Sequence, residues 1–188
     1  MKRIAKLFLI GLFMTASVGM LSAQNYKYSI GAVVGTMDGA SFKMFFSENL
    51  ALQADLAYKY TVPGVGRNSW LGSVSTFELN PTLLYQKNIT SFGWGDLDWY
   101  AGGGLALGYA FWGAAYYGYG YYGGGGGAGK FGINGTGGVE LCLTNNIPLA
   151  FNFDFRPGYG LLFTGAGGGG TMSYFDWALT WGVRYYFK

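Results

Sequence analysis

Residues 171–188, TMSYFDWALTWGVRYYFK, decide the fold of this chain because their side chains alternate between two unlike faces. One face is apolar and mostly aromatic: Phe175, Trp177, Leu179, Trp181, Val183, Tyr185 and Phe187. The other face is largely small or polar: Tyr174, Asp176, Ala178, Thr180, Gly182, Arg184, Tyr186 and Lys188. A period of two predicts an extended strand, and an unbroken aromatic face suits hydrocarbon bounded by aromatic girdles. Because a lone strand would leave backbone groups unsatisfied in a bilayer, we expect it to belong to a closed barrel.

The first residues are typical of a targeting segment rather than of the fold. The basic start consists of Lys2, Arg3 and Lys6. A short apolar run covers residues 7–20, and Leu21-Ser22-Ala23 supplies a small-residue cleavage site before Gln24. We therefore predict a secretory signal peptide over residues 1–23 and a single barrel domain over residues 24–188.

Charge and cysteine content limit the partners and bonds that we expect. The 12 basic residues outnumber the 9 acidic ones, but three of the basic residues lie in the predicted signal peptide. Nine basic and nine acidic residues then remain, which gives no reason to expect nucleic acid or an acidic partner. Cys142 is the only cysteine, so an intrachain disulfide cannot form, and we expect a small packing residue at this position.

Eight segments of the chain alternate, and most reach the roughly 9–11 residues that a transmembrane strand needs. They cover residues 26–35, 40–46, 50–62, 73–86, 97–112, 130–143, 149–162 and 172–187. The connections tend to alternate between short turns and long loops, as in outer-membrane barrels; residues 87–96 are a misfit, because a short turn is expected there. We predict an all-β fold: a closed, antiparallel, up-and-down transmembrane β-barrel of eight strands with both termini in the periplasm.

The size of the side chains decides which face points inward. Aromatic residues are concentrated on one face, from Tyr26 to Phe187, and the interior of eight strands is only just wide enough for ordinary side chains. The opposite face carries small residues and the charges, and a lipid-facing lysine or arginine would cost about 2–4 kcal/mol near the midplane. We therefore predict aromatic rings outside and a lumen filled by paired charges. The predicted lumen charges are Lys27, Lys43, Asp55, Lys59, Glu78, Asp98, Glu140, Asp154, Arg156, Asp176 and Arg184.

With these features the chain resembles the small outer-membrane β-barrel proteins of the OmpA/OmpX type over nearly all of its mature length. The shared features are eight amphipathic strands, a Sec-type signal and an aromatic-ended last strand. The resemblance implies that the barrel-assembly machinery reads a signal formed by Trp181, Val183, Tyr185 and Phe187. The family usually ends on the aromatic itself, whereas here Lys188 follows. The resemblance also implies the Gram-negative outer membrane as location, its lipid and lipopolysaccharide as neighbours, and a monomer.

The sequence contains no histidine. The small outer-membrane barrels that are enzymes resemble one another in using a catalytic histidine, and histidine is a common route to activating serine or water near neutral pH. An acid–acid site at Glu78, Glu140 or Asp154 stays conceivable, but buried charges are normally paired. The expected partners are Lys43, Lys59, Arg156 and Arg184. We expect no catalytic residue, cofactor or metal, and the glycine pattern at residues 118–123 matches a dinucleotide-binding motif only by chance, since no βαβ unit surrounds it.

Residues 113–129 form the most unusual segment, with tyrosines on a glycine-rich backbone. Its candidate contact residues are Tyr116, Tyr117, Tyr119, Tyr121 and Tyr122. Tyrosine recognises partners at low entropic cost, so one interpretation is a contact surface for sugars, proteins or another cell. The other interpretation, which we prefer, is a loop whose nearer tyrosines extend the outer aromatic girdle. A helix through residues 99–129 is disfavoured by the glycine content.

These observations favour a non-enzymatic integral outer-membrane barrel with a structural or surface-interaction role through its extracellular loops. The surface partner is not encoded in any motif. A narrow, porin-like passive channel is the alternative, because a run of small residues in one strand offers a gap in the lumen: Gly102, Gly104, Ala106 and Gly108. A lipid-modifying enzyme that depends on Glu78 or Glu140 is a third class and ranks last.

Overall fold

The computed structural model describes residues 26–61, 74–112, 116–117, 120–121, 126–144, 147–164 and 170–187. The predicted signal peptide, residues 1–23, lies outside these described residues. The strands are β1 (Tyr28–Gly35), β2 (Asp38–Phe45), β3 (Leu50–Thr61), β4 (Val74–Phe92), β5 (Gly95–Trp112), β6 (Tyr116–Tyr117), β7 (Gly120–Tyr121), β8 (Gly126–Leu143), β9 (Leu149–Thr164) and β10 (Gly170–Phe187). No helix in the described part of the chain has the length and apolarity to span a membrane.

Eight of these strands form a closed ring in the order β1-β10-β9-β8-β5-β4-β3-β2, and every neighbouring pair is antiparallel. The first and last strands close the ring, with registers running from Tyr28 opposite Phe187 to Gly35 opposite Thr180. The short strands β6 and β7 pair only with each other, within the connection between β5 and β8. The predicted closed, up-and-down barrel of eight strands is therefore confirmed.

The prediction that residues 87–96 form a connection between strands is wrong. This explains why the segment was too long for the short turn expected there. Strand β4 continues to Phe92 and β5 begins at Gly95, so only residues 93–94 form the turn. The register shifts between Asn88 and Thr90, which marks a β-bulge. An extra residue in one strand interrupts the period of two, so the outer part of this hairpin did not show as a strand in the sequence. The turn at residues 93–94 is therefore short, as the pattern of outer-membrane barrels predicts.

The two faces of each barrel strand differ in exposure as the alternation predicts. On β10, Trp181 is 64% exposed and Phe175 71% exposed, whereas Thr180 and Arg184 are fully buried. The prediction that Tyr26 lies on the outer aromatic face is wrong, because its side chain is buried. It stacks on Tyr186 and meets Phe45 edge-on, with ring centroids 5.1 and 5.2 Å apart. Tyr26 precedes β1, so the alternation of that strand does not reach it.

Close approach of β1 and β10 explains a glycine in the closing pair. A Cβ atom on Gly31 would lie 2.7 Å from the Cα atom and 2.8 Å from the Cγ atom of Arg184. Because such distances are too short for non-bonded carbon atoms, Gly31 lets the two strands pair while Arg184 enters the lumen. The glycine therefore belongs to the closing seam of the barrel.

The barrel wall has unequal height. Strand β1 ends at Gly35, which lies opposite Thr180, so residues 170–179 of β10 extend beyond the β1 pairing while still pairing with β9. Thr36 caps the junction, since its amide donates to the Leu179 carbonyl at 3.0 Å and its hydroxyl accepts from the Leu179 amide at 2.9 Å. Beyond this point, one edge of β10 has no backbone partner among the described residues.

Gly31→Val is expected to destabilise the barrel by about 1–3 kcal/mol, because overpacking at this level is typical when a side chain is forced into occupied space. Thermal unfolding in detergent micelles measures the change. The matched control is Gly137→Val on β8, where nothing lies within 4 Å of the added Cβ. Equal losses of stability in the two variants would contradict the role of Gly31 in the seam.

Candidate functional site

The candidate site is the polar lumen, and its inner layer is built around the buried carboxylate of Glu140. We call inner the end of the barrel that carries the start of β1, the end of β10 and the turns β2–β3, β4–β5 and β8–β9. Glu140 forms ion pairs with Lys43 at 3.0 Å and Arg184 at 2.8 Å. It also accepts hydrogen bonds from the Tyr26 hydroxyl at 2.6 Å and the Gln86 amide at 3.0 Å. One carboxylate is thus satisfied from several directions across the lumen.

Asp98 completes this inner layer without an ion pair of its own among the described residues. Its two oxygens accept hydrogen bonds from the amides of Gln86 at 2.8 Å and Asn88 at 3.0 Å. The Gln86 amide is shared with Glu140, and its oxygen accepts from Lys43. The amide side chain therefore links the two carboxylates while it satisfies hydrogen-bonding groups on both sides.

The middle layer is organised by the guanidinium of Arg156. Its Nη1 atom lies 2.5 Å from Asp55 Oδ2 and its Nη2 atom lies 2.5 Å from Asp154 Oδ2. The amides of Gln53 and Asn152 donate to these two carboxylates at 2.9 and 3.1 Å. Hydrogen bonds to charged groups are among the stronger ones in proteins, so these contacts hold the arginine across the lumen.

The outer layer joins two lysines with two carboxylates. Lys130 contacts Glu78 and lies 2.8 Å from Asp176, and Lys59 lies 3.0 Å from the same Asp176 oxygen. The Lys130 ammonium also lies 4.4 Å from the centroid of the Tyr174 ring. Asp176 retains 28% side-chain exposure, so this is the part of the charged lumen that remains partly open to its surroundings.

Alternation along β10 shows how the layers follow one another through the barrel. Arg184 belongs to the inner layer, Thr180 donates to Asp154 in the middle layer at 3.3 Å, and Asp176 belongs to the outer layer. These residues are spaced by four positions, so they share the inward face. The lumen is therefore occupied by polar contacts at three successive levels.

The structure brings together the lumen charges that the sequence predicts, except Lys27, and it adds Lys130, which was not predicted. Ten of the predicted residues lie in the three layers: Lys43, Asp55, Lys59, Glu78, Asp98, Glu140, Asp154, Arg156, Asp176 and Arg184. Lys27 is exposed, with its ammonium 5.3 Å from the centroid of the Tyr28 ring. It precedes β1, so strand alternation does not turn it inward. Lys130 was missed, although its even spacing from Gly132 and Glu140 on β8 was a usable signal.

The small residues that suggest a gap are positioned by close strand packing. A Cβ on Gly102 would lie 2.9 Å from Leu84 Cα, and one on Gly104 would lie 2.7 Å from Thr82 Cα. These glycines therefore allow the β4 backbone to approach β5. Ala106, in the same row, is buried. Strand packing therefore explains the small size of these glycines.

A possible metal-ligand set is present but its central ligand is already engaged. Ligand atoms of Asp98, Glu140 and Cys142 lie within 4.8 Å of one another. Glu140 already neutralises Lys43 and Arg184, so an added cation would meet two positive charges. Cys142 is buried and its sulfur lies 3.9 Å from Glu140 Oε1. The arrangement fits packing and hydrogen bonding better than metal ligation.

The other predicted residues form two groups, the assembly signal and the loop tyrosines. On β10, the predicted assembly-signal residues form an exposed outer row: Trp181, Val183, Tyr185 and Phe187. Among the candidate loop tyrosines, Tyr116, Tyr117 and Tyr121 belong to the β6–β7 hairpin. Tyr119 and Tyr122 lie outside the described residues.

The closed ring and its charged lumen define a small eight-stranded β-barrel. No protein family and no curated protein matches the chain by sequence. Among solved structures it is similar to Neisserial surface protein A, with a TM-score of 0.54 and 15% identity over 85% of this chain and 93% of that one. That protein is itself an eight-stranded outer-membrane barrel, so the predicted resemblance to such barrels is confirmed at the level of the fold.

Glu140→Gln is expected to destabilise the barrel by about 3–5 kcal/mol, because removing the carboxylate leaves Lys43 and Arg184 buried without their anion. Asp98→Asn is the matched control, since Asp98 is held by neutral amides. The loss of stability in Asp98→Asn should be clearly smaller than in Glu140→Gln. The free energy of unfolding, measured for both variants by urea titration in lipid vesicles, checks this order, and an equal effect would argue against the central role of Glu140.

Proposed function

We propose that this protein is a non-enzymatic integral outer-membrane β-barrel with a structural or surface-interaction role. The single observation that carries the proposal is the contrast between an apolar outer surface and a lumen occupied by joined charges. The membrane-facing surface supports the location. The occupied lumen supports a role that is carried by the outer end of the barrel rather than by the lumen.

The outer surface fits lipid better than water. Large apolar side chains stand exposed on strands all around the ring, among them Leu56 at 62%, Phe77 at 57% and Trp181 at 64%. Soluble monomers rarely expose contiguous apolar patches larger than a few hundred Å². In a closed barrel every strand has two hydrogen-bonded neighbours, which is the condition for crossing a bilayer with strands.

The lumen chemistry supports a non-enzymatic role. The sequence has no histidine, and the lumen carboxylates contact lysine, arginine or amide groups. A general base must be free to take up a proton from a substrate that reaches it. Carboxylates engaged in this way are better suited to holding the strands together.

The outer end of the barrel is the part best suited to surface contacts. The strands β5 and β8 pair up to Trp112 opposite Gly126, and β10 reaches Gly170, well beyond the end of β1 at Gly35. An edge with unpaired backbone groups is a template for an added strand, and β10 offers such an edge among the described residues. We propose that the extracellular loops, together with this edge, make the surface contacts.

Outer-membrane lipid and lipopolysaccharide are the proposed neighbours, and the barrel-assembly machinery is the proposed partner during biogenesis. The exposed row formed by Trp181, Val183, Tyr185 and Phe187 is available on the outer face of β10 for both. We propose a monomer. A narrow channel is the second candidate, but the close approach at Gly102 and Gly104 removes the observation that favoured it.

In planar lipid bilayers the purified barrel is expected to show no steady conductance, because three polar layers occupy the lumen. Arg156 lies across the middle layer and Arg184 belongs to the inner layer. Replacing both with alanine removes these long side chains from the lumen and should introduce measurable current. Lys27→Ala, which changes an exposed lysine, is the control and should leave the bilayer silent. Steady current from the unmodified protein would favour the channel.

Leu56→Arg is expected to reduce the free energy of folding into lipid vesicles by about 2–4 kcal/mol, the usual cost of a lipid-facing arginine near the midplane. Ser173→Arg is the control, because Ser173 is exposed on β10 two residues beyond Phe175 and should cost about 1 kcal/mol or less near the interface. Urea titration in vesicles measures both changes. Equal costs would count against the proposal that Leu56 lies near the midplane and Ser173 near the interface.

A further inference from the structure

The three lumen layers differ in their charge balance. The inner layer joins two carboxylates and two cations: Asp98, Glu140, Lys43 and Arg184. The outer layer does the same: Glu78, Asp176, Lys59 and Lys130. The middle layer joins two carboxylates with one cation: Asp55, Asp154 and Arg156. Among the residues that these contacts join, the excess negative charge therefore lies in the middle layer, where Asp55 and Asp154 are fully buried.

The same layer contains buried oxygen atoms that lack hydrogen-bond partners. Asp154 Oδ1 and the Tyr100 hydroxyl are both unpartnered, and the two residues are 0% and 1% exposed. A Cβ on Gly138 would lie 2.3 Å from the Phe153 carbonyl oxygen and 2.8 Å from each of these two atoms. Because glycine has no side chain, a carbonyl, a carboxylate and a hydroxyl oxygen all approach the same place.

Two further unpartnered oxygens lie on the same two strands. They are Thr136 Oγ1, two residues before Gly138 on β8, and Asn152 Oδ1, two residues before Asp154 on β9, which lies against Gly182 of β10. Gly138 and Asp154 lie opposite each other in the β8–β9 pair. Buried polar atoms without partners are rare in native proteins and call for an unseen water or ion.

We propose that the middle layer holds one small monovalent cation beside Gly138, with Asp154 and Tyr100 as its principal side-chain ligands. Carboxylate, carbonyl and hydroxyl oxygens suit hard cations such as sodium. A single positive charge balances the excess carboxylate of this layer, whereas a divalent ion would replace one imbalance with another. A water molecule could satisfy the hydrogen bonds, but it would leave the buried negative charge uncompensated, which is costly.

The test compares thermal unfolding of the barrel after refolding into detergent micelles in sodium chloride or in N-methyl-D-glucamine chloride. The bulky organic cation keeps the ionic strength equal but does not fit a site beside Gly138. Ligands that bind only the folded state raise its stability, so saturating sodium should raise the midpoint of the unmodified protein by roughly 5–10 °C. Line broadening in sodium NMR should show the bound ion directly.

Asp154→Asn and Tyr100→Phe examine the two ligands separately. Asp154→Asn removes the excess charge, so the sodium-dependent rise should disappear. Tyr100→Phe removes one oxygen without changing charge, so a higher sodium concentration should be needed for the same rise. Tyr174→Phe is the matched control, because Tyr174 also has a buried, unpartnered hydroxyl but belongs to the balanced outer layer; its response should equal that of the unmodified protein.

Three results would overturn the cation site. The midpoint could be the same in both salts, which would leave an internal water only. Stability could follow pH but not sodium, which would place a proton on the carboxylate. Asp154→Asn could keep the full sodium response, which would locate the ion elsewhere. None of these results depends on a surface role for the barrel, so this test and the conductance measurement fail independently.

Discussion

The buried carboxylate of Glu140 connects β8 to strands that are not its neighbours in the wall. Its partners come from β2, β4, β10 and Tyr26, which lies two residues before β1. Ladder hydrogen bonds join only adjacent strands, so they leave the cross-section of the ring free to distort. Contacts across the lumen remove that freedom, because a buried charge that loses its partner costs several kcal/mol. The polar interior therefore determines the shape of the barrel as much as the sheet does.

The same contacts also fix the register of each strand. If β10 slipped by one residue, Arg184 and Asp176 would face lipid and Trp181 would enter the lumen. Glu140 would lose Arg184, and Lys59 and Lys130 would lose Asp176. The outward aromatic row by itself selects the register less strongly, because neighbouring apolar side chains can replace one another at the lipid surface. The inward charges thus select one register, and the exposed row of β10 is aligned as a consequence.

Sequence alternation predicted the closed barrel and the inward side of most charges because a period of two reports the side on which a residue lies. It failed where the chain leaves regular strand geometry. Tyr26 and Lys27 precede β1, so their sides are exchanged relative to the expectation. The bulge near Asn88 concealed the end of the β4–β5 hairpin. Alternation also cannot name partners, and for that reason the links made by Gln53, Gln86 and Asn152 were not foreseen.

Glycine shows most clearly why residue size in a sequence does not measure space in a barrel. Gly102 and Gly104 accommodate the approach of a neighbouring strand, so strand packing explains their small size. Gly138 likewise accommodates a carbonyl oxygen of the neighbouring strand, that of Phe153, but two unpartnered side-chain oxygens also approach the position that a side chain would take. The difference lies in the atoms opposite the glycine rather than in the glycine itself. Small residues in a lumen therefore do not by themselves predict a passage, and the charge balance of the surrounding layer decides what the oxygens near Gly138 can bind.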